Sequence, residues 1–472
     1  MLFNSLGFAL FLPIVFTLYW ILRKSVRWQN ALLLVASYVF YGWWDFRYLV
    51  LIFGCSLVNF VAGRVIFSAK ERFVRRFALF AACAISLGVL GVFKYYDFFI
   101  ESFAQMFSSI GIHWSPFVLN LALPVGISFF TFQALSYTID ISLGKLRPTE
   151  SWVEFFTFIA FFPQLVAGPI ERASNLLPQF QKARELEFDK ATHGICLIAF
   201  GLFKKMVVAD TLSQYVDKVW ANAMLYSSTT CIIAAVFFAF QIYCDFSGYS
   251  DVARGVASLF GFRLMINFDS PYLAKSFAEF WRRWHISLSS WFKDYVYIPL
   301  GGNRVSLLKL LRNIWIVFLL SGLWHGASWS FVFWGALHAF YLSIGVLKNK
   351  LFGRGGESGL LAKITQVALV NVGVVFAWVF FRAGTMHSAI EYLKAFERGQ
   401  WETSLMALCA GLGPMQFGFC ILAVALFVAS AFCPRDCGFV SVKSKLAFSL
   451  VCIAAIIFIG MPSGGEFIYF KF

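Results

Sequence analysis

This chain is poor in charge, and the shortage decides its class. Only 13% of its 472 residues are Asp, Glu, Lys or Arg, against 60% that are hydrophobic. A mean hydropathy of +0.75 excludes a soluble globular protein. Histidine is scarcer still, with six in the whole chain. The ten cysteines show no zinc-type spacing. Cys55, Cys83, Cys196, Cys231, Cys409, Cys420 and Cys452 fall inside apolar runs, where a thiol serves as a small packing group. Cys433 and Cys437 form a C-x3-C pair beside Pro434, open to a disulfide or a metal, but no metal centre is expected. No internal repeat and no long linker divides the sequence, so residues 1–472 read as one integral-membrane domain. No basic stretch precedes the first apolar run and no small-residue cleavage site follows it. Residues 1–22 are therefore expected to be a retained helix rather than a signal peptide.

Long apolar runs are what the chain has in plenty: 5–22, 31–43, 48–62, 77–93, 117–135, 195–203, 228–242, 313–320, 364–381, 416–432 and 446–460. A bilayer crossing takes roughly 20 apolar residues, so the shorter runs predict tilted, broken or re-entrant helices. The expected fold is all-α and polytopic, with about eleven or twelve transmembrane helices plus interfacial ones. The formal charge of +15 would suggest nucleic acid in a soluble protein. Here the cations lie between apolar runs, which points to membrane topology and to no nucleic-acid partner. Arg23, Lys24 and Arg27, then Lys70, Arg72, Arg75 and Arg76, then Lys145 and Arg147 make alternate loops basic. The positive-inside rule puts those loops in the cytoplasm and the N-terminus outside.

Three stretches depart from simple spans, and one of them, residues 169–192, is polar and charged and is expected to lie outside the hydrocarbon. Residues 94–116 carry Lys94, Asp97, Glu101 and His113 among aromatics and read as an interfacial helix. Residues 245–312 mix frequent charges with dense aromatics and contain Pro271, Pro299 and Gly301-Gly302. Polar, irregular backbone at a membrane must be buried in protein or line an aqueous cavity, so this stretch predicts a cytoplasmic vestibule.

Ionisable groups are costly inside a membrane and mark function or pairing. His285 follows Trp281-Arg282-Arg283-Trp284, and His325 lies in Ser321-Gly322-Leu323-Trp324-His325-Gly326. Imidazole accepts and returns a proton near neutral pH, so both are candidates for acid–base work. The alternative for His285 is an interfacial anchor of arginines and tryptophans facing lipid headgroups. The alternative for His325 is a core histidine bonded to a carbonyl. His338 would face away from His325 on a continuous helix and reads as structural. Asp245 and Asp251 lie in Tyr243–Asp251, which is either a helix cap or a substrate contact. Gln133, Tyr137 and Asp140 share a helix face and are candidates to line a channel.

Taken in order, several segments resemble the membrane-bound O-acyltransferase family, in its bacterial polysaccharide branch. They are 123–133, 162–170, 243–251, 280–287, 294–304 and Trp324-His325-Gly326. The resemblance covers nearly the whole chain and implies a ring of tilted helices around a tunnel, with a catalytic core at about 120–345. It implies that His325 is the principal catalytic histidine, and that His285 occupies a second position where many relatives carry asparagine. Phe467-Ile468-Tyr469-Phe470-Lys471-Phe472, within the aromatic tail 462–472, fits a Phe-x-Tyr-x-x-Phe ending. In this resemblance Tyr469 carries the acyl group transiently; otherwise the tail is an interfacial anchor.

The implied activity is acetyl transfer across a bacterial cytoplasmic (inner) membrane, for O-acetylation of an exported polysaccharide or cell-wall glycan. Acetyl-CoA would be the donor, with no bound cofactor, and Arg282, Arg283 and Lys293 would attract its phosphates. Asp245 and Gln133 would contact substrate. An extracytoplasmic acetyltransferase partner would complete the transfer, because the chain shows no sizeable soluble domain. Two alternatives stay open: transfer of another acyl group, such as D-alanine from a carrier protein, and a transporter or flippase without covalent chemistry.

Overall fold

A computed structural model describes residues 1–166, 168–353, 359–434, 437–461 and 467–468. The described residues are helical with no strand. In a bilayer the backbone must satisfy its own polar groups, and the helix does this within one segment. Seven of the helices are long and apolar enough to cross a membrane, and three shorter apolar ones, Leu6–Ile21, Trp152–Leu165 and Pro414–Ser430, accompany them. The chain is a multi-pass membrane protein. It divides into two compact units, residues 1–195 with 253–265, and 196–252 with 266–472.

The first unit is held by buried polar side chains between helices. Arg184 donates to Asn30 Oδ1 at 2.8 Å and to Gln29 Oε1 at 3.3 Å, while Asn30 donates to the carbonyl of Phe180 at 2.8 Å. Asn59 joins three helices, donating to Ser86 Oγ at 3.0 Å and accepting from Thr138 Oγ1 at 2.7 Å. Apolar packing alone separates helices poorly from lipid, so such bonds and close contacts hold them together. The helix Ile127–Ser142 is buried almost all round, as its apolar run requires.

Two expectations for this unit change in the structure. The apolar run 77–93 does not end before an interfacial helix. One helical rod runs from Arg72 to Ser109, 38 residues long, with a π-turn at Gly91–Tyr95 absorbing the change in composition. Asp97 in that rod accepts from the backbone N–H of Leu119 at 2.7 Å and of Asn120 at 3.0 Å, and so ties down the chain that follows. The Gln133–Tyr137 face binds neighbouring segments. Gln133 donates to the carbonyl of Phe158 at 2.6 Å and accepts from Gln164, and the Tyr137 hydroxyl accepts from the N–H of Thr149 at 3.2 Å.

The helix Ser228–Leu259 is 32 residues long, and its part up to Val252 belongs to the second unit. It does not cap at Tyr243–Asp251 but continues through both carboxylates, because partners from residues 203–210 neutralise them. Lys205 meets Asp245 at 2.6 Å, and Lys204 meets Asp251 at 2.5 Å. Short helices Phe277–Arg283 and Ile286–Phe292 and a π-turn Lys293–Tyr297 follow, as the charge density of 245–312 predicts. The helices Leu307–His325 and Trp329–Phe352 then form a tight hairpin. Any side-chain carbon at Gly322 would collide with the carbonyl of Phe331, so only glycine permits this approach.

Candidate functional site

The hairpin explains where His325 stands. It is the last residue of its helix, and Gly326, in extended conformation, leaves the helix with its N–H still bonded to the carbonyl of Gly322 at 3.3 Å. The imidazole is 2% exposed. Trp324, Trp334 and Phe381 surround it edge-on, with ring centroids at 4.9, 4.9 and 5.3 Å.

His285 sits at the break between two short helices, with φ at +42°. That left-handed conformation is uncommon for a residue with a side chain, and it is held here because the two residues that follow it are pinned. Asn267 does the pinning. Its carbonyl accepts from the N–H of Ile286 at 2.9 Å, its Oδ1 accepts from Ser287 Oγ at 2.6 Å, and its Nδ2 donates to Ser250 at 3.2 Å. The His285 ring is fully buried, packed against Phe246 at 4.7 Å and Trp324 at 5.8 Å. Burial pushes its pKa down to about 3, so the imidazole is neutral.

The two histidines come together, with ring centroids 6.3 Å apart. The pair lies in an aromatic, low-dielectric setting where a fixed donor or base acts strongly. His338 does not face away. The turn at Gly326–Ser328 folds the chain back, so Trp334 touches His338 at 4.9 Å as well as His325. Trp281 donates its indole N–H to His338 Nδ1 at 3.2 Å, which makes His338 a support for the site wall.

A cavity of about 1160 Å³ is lined by Trp281, by Ile286, the residue after His285, and by Ser321, one helical turn before His325, while neither histidine itself lines it. Its lining includes Lys275, Arg282, Lys293 and Lys348, and no carboxylate among the described residues. Arg282 and Lys293 are exposed there. Arg283 is not part of this lining. It is bound to Glu279 at 2.7 Å and to the carbonyl of Asp269 at 3.2 Å. Asp245 is buried against Lys205 and the segment at Ile468. Gln133 belongs to the other unit, and Tyr469 lies outside the described residues.

Sequence reasoning did not single out Asn267, Lys204 or Lys205. The lysine pair had a usable signal, since adjacent cations directly after the apolar run 195–203 need buried partners. Asn267 had none.

The family model for membrane-bound O-acyltransferases matches residues 119–381, which contain both histidines and the cationic cavity. The chain belongs to the membrane-bound O-acyltransferase family. A protein described as "Probable alginate O-acetylase AlgI" from Pseudomonas aeruginosa is 40% identical over 430 residues, covering 90% of this chain and 80% of that protein. One of the same description from Pseudomonas putida is 36% identical over 499 residues, covering 100% of each. The peptidoglycan O-acetyltransferase of Helicobacter pylori is 36% identical over 430 residues, covering 84% of this chain and 79% of its own. As a member of this acyltransferase family the chain is an enzyme, which removes the transporter reading.

Proposed function

We propose that this acyltransferase moves acetyl from a thioester, acetyl-CoA, to an exported polysaccharide or cell-wall glycan, at a bacterial cytoplasmic membrane. The observation that carries the reading is the buried His285–His325 pair, 6.3 Å apart beside a cation-lined cavity. The cavity suits a donor with several phosphates at one end and an uncharged thioester at the other. Arg282 and Lys293 hold the phosphates by charge, and the apolar wall at Trp281 and Ile286 receives the acyl end.

His325 acts as general base. It removes the proton of the acceptor hydroxyl as oxygen attacks the thioester carbonyl, and it returns that proton to the leaving thiolate. His285, neutral, orients the carbonyl or donates an N–H to the oxygen as negative charge develops there. Tyr469 takes the acetyl as an ester and passes it to an extracytoplasmic acetyltransferase partner, which delivers it to the glycan. A phenol has an ordinary pKa near 10, so this step needs a base such as His325 beside it.

The test uses purified protein with radiolabelled acetyl thioester. Wild type should release thiol, whereas His325→Ala, inserted and folded normally, should lose about 100- to 10,000-fold in rate. Tyr469→Phe should keep donor binding and lose both acyl transfer from the thioester and glycan acetylation. Activity of His325→Ala near that of wild type rejects the catalytic assignment, and normal glycan acetylation by Tyr469→Phe rejects the relay.

A further inference from the structure

One buried charge cluster takes no part in the chemistry above. Lys205 Nζ lies 2.6 Å from Asp245 Oδ1 and 2.8 Å from Asp210 Oδ1, with all three side chains at most 5% exposed. One ammonium between two carboxylates leaves negative charge that a buried site must satisfy with further donors. Asp245 Oδ2 finds such a donor in the backbone N–H of Ile468, at 2.7 Å and buried, from a residue 223 positions away. The preceding residue, Phe467, is fully buried, its ring centroid 4.6 Å from Tyr249 and 5.6 Å from Phe246. Asp245 and Tyr249 are one helical turn apart and share a face, so carboxylate and ring make one seat. Phe246 in turn meets His285 at 4.7 Å.

We propose that Asp245, positioned by Lys205 and Asp210, is a latch that seats Phe467 and Ile468 against the wall of the His285 site. The grip is on the main chain at Ile468, so it holds Phe467 and Ile468 whatever side chain stands at 468. A charged acceptor suits this task, because its bond to an N–H is roughly twice as strong as a neutral one. Asp245 is thus a positioning residue and does not touch the acyl donor. The consequence for acyl delivery rests on the proposed function, but the latch itself does not.

Replacing Asp245 or Lys205 leaves a buried charge unpaired and can prevent folding. The variant of choice is Ile468→Pro, which deletes the N–H and leaves the cluster whole. Its partner is Ile468→Ala, which keeps the N–H. Each is combined with Phe467→Cys, at a fully buried position, and purified protein is labelled with a soluble maleimide against the parent chain as background. Loss of a hydrogen bond to a charged group should make Ile468→Pro label at least about tenfold faster than Ile468→Ala. Ile468→Pro should also lose glycan acetylation while it still binds the acetyl donor. Equal labelling rates in the two variants overturn the latch. If the rates differ as expected but wild type cleaves no acetyl thioester, the latch stands and the proposed donor falls.

Discussion

The cavity beside the histidines makes a quantitative claim about two cations. Arg282 and Lys293 line it and are exposed, whereas the neighbouring Arg283 is occupied by Glu279 at 2.7 Å. Glutamine at 282, at 293 and at both should separate binding from chemistry. A charge pair about 4 Å apart at a wet cavity mouth is worth about 1 kcal/mol. Since 1.4 kcal/mol is a factor of ten, each change should raise KM for a phosphorylated thioester donor about fivefold, and the pair about 25-fold if additive. The kcat should hold, because contacts to remote phosphates are equal in ground and transition states. Salt supplies a second signature. The Debye length falls from about 10 Å at 0.1 M to about 3 Å at 1 M, so KM of wild type should climb across that range and KM of the double variant should stay nearly flat. Arg283→Gln is the internal control and should change KM by less than about twofold. Initial rates of thiol release from purified protein measure all of this. The reasoning is refuted if kcat falls at constant KM, or if Arg283→Gln matches Arg282→Gln.

Four further outcomes are expected. His285→Asn should keep part of the activity and His285→Ala much less, because asparagine tolerates the left-handed backbone at φ +42° and retains a polar end; equal rates would point to a packing role. Because His285 is held neutral, with a pKa of about 3, His285→Asn should leave the midpoint of any rate transition between about pH 5 and 8 unmoved. Gly322→Val should cost more than the usual overpacking penalty of about 1–3 kcal/mol, since the added carbons meet the backbone carbonyl of Phe331, and purified yield and thermal melting report it. A cysteine at Arg304 should need a membrane-permeant reagent for labelling in intact cells, and labelling by an impermeant one would reverse the topology.

Some of this protein is written locally in its sequence. Hydropathy is a sum over neighbouring residues, so the runs from 5–22 to 446–460 declared a helical membrane protein without any contact being known. Scarcity singled out His285 and His325, because an imidazole costs too much at membrane depth to be placed without a purpose. The ordered motifs from 123–133 to 324–326 carried the family. Tertiary structure alone decided which charges do what. Arg282 and Arg283 are adjacent and chemically alike, yet one lines the cavity and the other pairs with Glu279, because a helix sends neighbours about 100° apart. The helix Ser228–Leu259 runs through Asp245 and Asp251 only because lysines distant in the chain neutralise them, and periodicity cannot see a distant partner. The 6.3 Å meeting of His285 with His325, and the seat of Ile468 on Asp245, likewise arise from side chains brought together by packing, where burial makes each unmet charge or hydrogen bond expensive.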